Sequence, residues 1–128
     1  MLHVTPIYAG LLGLLFAALS LRVIQARRRL GISLGDGGEA ELQRRVRSQA
    51  NCAEYAPFGI LLLALAELQG MAGALLHLFG AMLFLGRVVH AWSLAQTPQV
   101  LPARVAGMAL TLFSLIPVAL ANILMAVI

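Results

Sequence analysis

Charge is the scarcest commodity in this chain: only 11% of its 128 residues are charged, where a soluble domain carries roughly 25%. With 61% of the residues hydrophobic, a soluble fold of this size could not hide its apolar surface. One cysteine, Cys52, excludes an internal disulfide, and it says nothing about redox compartment. Three scattered histidines beside one cysteine make no metal-ligand spacing, so no metal is expected. The glycine-rich stretch Gly31–Gly38 has neither the lysine nor the preceding strand of a phosphate loop, which excludes that route to nucleotide binding. No aromatic-rich surface accompanies the basic residues, so the net charge of +4 does not point to nucleic acid. The first apolar stretch, Thr5 to Ile24, contains no acid, which ranks a small proton-coupled four-helix exporter last among the functions considered.

What is abundant is apolar sequence in runs of about twenty residues, the length a helix needs to cross a hydrocarbon core of roughly 30 Å. Four such runs predict an all-α, integral membrane four-helix bundle in a single domain, residues 1–128, with helices at about 5–28, 41–68, 71–95 and 102–127. Thr5 is placed to cap the first helix, with Pro6 in its first turn where a missing N–H costs nothing. That first run is long for a signal peptide and carries its arginines after it, so it is expected to remain in the mature protein. Arg27, Arg28, Arg29, Arg44, Arg45 and Arg47 flank one loop, 26–46, which the positive-inside bias assigns to the cytoplasm, with both termini outside. Arg22 can snorkel to the same interface.

The second helix carries the chemistry. Its purely apolar part, Ala56 to Ala66, covers only about 17 Å, so the span must extend back through polar residues. Arg47, Asn51 and Glu54 lie at i, i+4 and i+7, on one face continued by Phe58, and Pro57 predicts a kink beside them. Ionisable groups at membrane depth cost at least ~2.5 kcal/mol each and normally face a bundle interior or a wet cavity. Two readings follow. Either these residues grip a polar ligand, or Glu54 pairs with Arg87 of helix three to hold the bundle together; one pair can do both.

The run Arg47-Ser48-Gln49-Ala50-Asn51-Cys52-Ala53-Glu54-Tyr55-Ala56-Pro57 resembles the second-helix motif R-x-Q-x-N-x-x-E-Y-x-P of the MAPEG family, the membrane-associated proteins in eicosanoid and glutathione metabolism, in its leukotriene-synthase-like form. Val23–Arg28 is similar to the end of that family's first helix, and Gly35-Asp36-Gly37-Gly38 followed by Glu41-Leu42-Gln43 resembles its bacterial branch. The resemblance implies a homotrimer in a bacterial inner membrane, with glutathione folded between neighbouring subunits near the cytoplasmic side and a lipophilic substrate entering from the bilayer. Carried over by position, Arg27 would bind a glutathione carboxylate, Arg47, Gln49, Asn51, Glu54 and Tyr55 its peptide and amino groups, and Arg28 would lie near the reacting centre. These residue types suit the ligand: guanidinium forks fit its two carboxylates, a glutamate its ammonium, and Asn or Gln its amides.

The implied chemistry needs a thiolate, and making a thiol of pKa about 8.5 a hundredfold more acidic takes roughly 2.7 kcal/mol. One guanidinium at about 4 Å supplies near 4 kcal/mol at an effective dielectric of 20. Arg104, at the start of helix four, is the candidate for that role by resemblance, although the connection from Leu94 to Arg104 is longer than in the leukotriene-forming relatives; the other reading is a positive-inside anchor. His90 and Leu94 stand where the family's glutathione enzymes often have tyrosines; His90 can donate a hydrogen bond to glutathione and Leu94 cannot, while Arg87 shares a face with His90. His77, Glu67 and Trp92 read as interfacial residues, and Cys52 as a small packed one. The functions considered are thus a glutathione transferase or peroxidase, a non-catalytic lipid-binding or scaffold trimer of the same fold, and, last, an exporter.

Overall fold

A computed structural model describes all residues, Met1–Ile128, and contains four helices and no strand: α1 (Thr5–Leu30), α2 (Ala40–Leu68), α3 (Gly73–Ala95) and α4 (Leu101–Val127). Each is long and apolar enough to cross a membrane. α2 and α3 form the central pair, each packed on the other three helices, whereas α1 and α4 flank them without touching one another. The core between them is mainly leucine and alanine, with Leu12, Leu19, Leu63, Leu76, Leu83 and Ala91 at its heart. Large apolar side chains such as Leu14, Phe113, Ile116 and Leu120 point outward, the pattern of a bundle whose solvent is lipid.

Helix ends depart from expectation in instructive ways. α1 runs on through the arginines to Leu30 and stops at Gly31, whose φ of 69° is left-handed and whose N–H closes on the Arg27 carbonyl. Thr5 is not a cap but the first helical residue, and no side chain of α1 caps the helix. Glu67, at the far end of α2, does so instead: its carboxylate accepts the backbone N–H groups of His3 at 2.6 Å, Val4 at 2.8 Å and Thr5 at 2.7 Å. The orphan amides and positive dipole end of α1 make this a strong place for an anion. His77 is likewise a packing residue, with the Tyr8 hydroxyl donating to its carbonyl at 3.0 Å and lying 3.1 Å from its Nδ1. α3 begins at Gly73 rather than 71, because Gly70 turns the chain at φ 93° and leaves Met71 and Ala72 in the connection. α2 and α4 continue unbroken through Pro57 and Pro117.

α3 and α4 approach each other backbone to backbone. A methyl group added at Gly86 would come within 2.8 Å of the Gly107 carbonyl oxygen, and one at Gly107 within 2.7 Å of the His90 backbone nitrogen. Small residues at a crossing let two backbones meet, the main way helices gain packing where lipid offers no hydrophobic contrast. Around this crossing the polar residues of the bundle gather.

Candidate functional site

Arg87 projects from α3 into the centre of the bundle and is 2% exposed. Its Nε donates to Thr111 Oγ1 at 3.0 Å, one terminal nitrogen donates to Asn51 Oδ1, and the other reaches the Gly107 carbonyl at 3.5 Å and Met108 Sδ at 3.2 Å. The guanidinium carbon also lies 5.0 Å from the centre of the Tyr55 ring, a cation–π contact. No carboxylate is paired with it: neutral acceptors and an aromatic face hold the charge. The expected pairing of Glu54 with Arg87 is therefore not formed. Asn51 takes the arginine in its place, because it sits on the inward edge of the polar stripe while Glu54 sits on the outward edge.

The stripe at i, i+4 and i+7 is thus split. Asn51 is buried, Tyr55 is half-buried, and Arg47 and Glu54 point away from the bundle, paired with each other at 3.6 Å with about half of each side chain exposed. Gln49 donates to Ser20 Oγ at 3.0 Å, stitching α2 to α1. Arg27 donates to the Gly35 carbonyl at 2.8 Å and reaches the Ile32 carbonyl at 3.4 Å, which folds the loop back onto α1. Arg28 is exposed and makes no hydrogen bond or ion pair within the chain. A shallow cleft of about 280 Å³ opens between Arg27, Gly35, Asp36, Gln43, Val46 and Arg47. The chain therefore brings Arg27 and Arg47 to one cleft, with Glu54 two turns of helix further along the same outward side.

Arg104 is half-buried at the start of α4 and donates to Gln99 Oε1 at 3.2 Å, within its own connection. His90 is 3% exposed and lies under the α3–α4 crossing, and Leu94 is 6% exposed. Arg87 and His90 thus have almost no free surface in one chain, and Arg87 touches Asn51 and Tyr55.

Thr111, Gly107 and Ser20 were not singled out from sequence, yet they position Arg87 and Gln49. Only Gly107-x-x-x-Thr111, two small residues one turn apart in an apolar helix, carried a readable signal. A second groove, apolar and also about 280 Å³, runs between α1 and α2 past Leu12, Phe16, Cys52, Pro57 and Ile60.

The chain is 32% identical over 120 residues to the inner membrane protein YecN of Escherichia coli strain K12, covering 94% of this chain and 90% of that one. The same figures hold for YecN of Escherichia coli O6:H1. The sequence model of the MAPEG family matches residues 5–124, from the first turn of α1 almost to the end of α4. By that match over nearly its whole length, the chain belongs to the MAPEG family.

Proposed function

We propose that this protein is a glutathione-dependent membrane enzyme, adding glutathione to lipophilic electrophiles or reducing lipid hydroperoxides with it. One observation carries the reading: Glu54, paired with Arg47 near Arg27 at the loop end, points out of the subunit at membrane depth. Glu54 lies fourteen residues from the outer end of α2, about 21 Å into a hydrocarbon core of roughly 30 Å. Lipid is a poor neighbour for such a pair. A second subunit and a charged ligand between subunits would be good ones, which supports a homotrimer whose site is completed at the interface.

In that site Arg27 and Arg47 would hold the carboxylates of glutathione and Glu54 its ammonium, with Gln49, Asn51 and Tyr55 facing its peptide groups. Arg87 would act at one remove, fixing the Asn51 amide and the Tyr55 ring, with His90 beside it. Arg104 and Arg28 would supply positive charge where the sulfur becomes a thiolate, the nucleophile such chemistry requires. The apolar α1–α2 groove suits a lipophilic partner arriving from the bilayer. The arginine-rich loop end would face the cytoplasm, with both termini outside, in a bacterial inner membrane like that of the YecN relatives.

The test is calorimetric glutathione binding and conjugation of a generic aromatic electrophile by purified, detergent-solubilised protein, with Glu54→Ala and Arg104→Ala alongside. The expected result is binding abolished by Glu54→Ala, and turnover lost with binding retained in Arg104→Ala. Binding without turnover in the wild type would favour a non-catalytic lipid-binding trimer, a reading that the buried Leu94 supports because it offers no donor. No binding at all would remove both glutathione claims.

A further inference from the structure

At the loop end of the bundle, on the side of α2 that meets α1 and α3, lies a second basic recess that the glutathione reading does not use. It is about 210 Å³ in volume, and Arg22 of α1, Glu41, Arg44 and Arg45 of α2, and Thr97 beyond α3 line it. Its inner wall is closed by the buried side chains of Leu19, Ala91 and Leu94, which leave behind the arginines a gap of only about 10 Å³, room for one water. Beside that gap sits Ser48, 5% exposed, whose buried hydroxyl has no hydrogen-bond partner in the protein.

The charges do not cancel. Arg45 is committed, donating to the Arg22 carbonyl at 2.7 Å and pairing with Glu41 at 2.7 Å. Glu41 is shared with Arg29, which draws its charge away from the recess. Arg44 spends one nitrogen on Thr97 Oγ1 at 3.2 Å, and the Arg22 guanidinium makes no bond within the chain. Two guanidinium groups with donors to spare thus face one small volume.

Depth identifies the ligand. Arg22 is seventeen residues from the outer end of α1, about 26 Å along it, and Ser48 is twenty residues from the outer end of α2, about 30 Å. That is the boundary of a hydrocarbon core of roughly 30 Å, where phosphate groups of lipids lie and acyl chains begin. Arginine forks match phosphate oxygens, and basic pockets between membrane helices select anionic headgroups. We infer that this recess binds the phosphodiester headgroup of an anionic phospholipid, with Arg22 and Arg44 on the phosphate and the acyl chains running from the recess into the surrounding bilayer. The inference stands independently of glutathione binding, since it uses none of those residues.

The experiment is native mass spectrometry of the detergent-purified protein, titrated with dioleoyl phosphatidylglycerol, dioleoyl phosphatidylcholine or inorganic phosphate. Phosphatidylglycerol should be retained in preference to phosphatidylcholine, and millimolar phosphate should not displace it. At about fivefold per interfacial arginine, Arg22→Gln and Arg44→Gln should each weaken phosphatidylglycerol about fivefold and together roughly 25-fold, while Arg28→Gln, which removes the same charge as either single change but lies outside the recess, should not. Should the double variant fail to fold, a photoreactive phosphatidylglycerol carrying its diazirine near the headgroup is applied to the wild type, and labelling is expected within residues 41–45 and 94–97. Equal retention of both lipids, displacement by free phosphate, an unchanged double variant, or labelling confined to other segments would each overturn the inference.

Discussion

Adding one methyl group at Gly107 should be far more damaging than adding one at Gly10, although both glycines sit in membrane helices. At Gly107 the new carbon would lie 2.7 Å from the His90 nitrogen against the 3.4 Å of ordinary contact, and its next neighbours, at 2.8 and 3.0 Å, are also backbone atoms. No rotamer change can relieve a clash with backbone. α3 and α4 must part by about 0.7 Å, and a comparable shift would stretch the 3.0 Å Arg87–Thr111 bond and the 3.5 Å Arg87–Gly107 contact past hydrogen-bonding range. Overpacking of this kind costs about 1–3 kcal/mol, and the better helix propensity of alanine returns at most ~1 kcal/mol, so Gly107→Ala should lose roughly 1–2 kcal/mol net. Gly10→Ala meets no atom within 4 Å and should be neutral or slightly stabilising. Gly59→Ala is the intermediate case, since its nearest contacts, at 2.5 and 3.0 Å, are the movable ends of Leu83. Thermal melts in one detergent should show Gly107→Ala lowered by several degrees, at about 4 °C per kcal/mol, and Gly10→Ala unchanged or raised. Glutathione affinity should fall with Gly107→Ala, because Asn51 and Tyr55 lose their anchor. Equal melting temperatures for Gly107→Ala and Gly10→Ala would refute the close crossing and the positioning role built on it.

Arg87→Ala, which opens a cavity and strips Asn51 of its donor, should destabilise by about 2–4 kcal/mol, whereas Arg87→Met, which fills the space without a charge, should stay within ~1 kcal/mol of wild type; equal losses in detergent melts would contradict this account. Arg47→Lys keeps the charge but loses the fork, so calorimetry should find glutathione about tenfold weaker; unchanged affinity would remove Arg47 from the proposed site. Glu67→Gln should speed hydrogen exchange of the His3, Val4 and Thr5 amides about tenfold, the equivalent of ~1.4 kcal/mol of lost capping, while Leu76 in the core of α3 stays protected; uniform exchange throughout would show that Glu67 does not cap α1.

Four spans in one bundle were legible because lipid imposes a coarse rule, about twenty apolar residues per crossing, that a sequence cannot disguise. The polar stripe of α2 was legible for the same reason, since charge in an apolar run needs a physical excuse. Periodicity places residues on a face only to within tens of degrees, however, and Asn51 and Glu54 fall on opposite sides of the line between bundle interior and exterior. That line is drawn by where α1 and α3 pack, so only the tertiary structure could send Asn51 to Arg87 and leave Glu54 facing outward with Arg47. Likewise Glu67 lies more than sixty residues from the amides it caps, and no local pattern announces such a partner. The sequence determined that this chain lives in a membrane and carries a polar stripe on its second span. The packing of α1 and α3 against α2 decided which of those polar groups lie inside the bundle and which face outward.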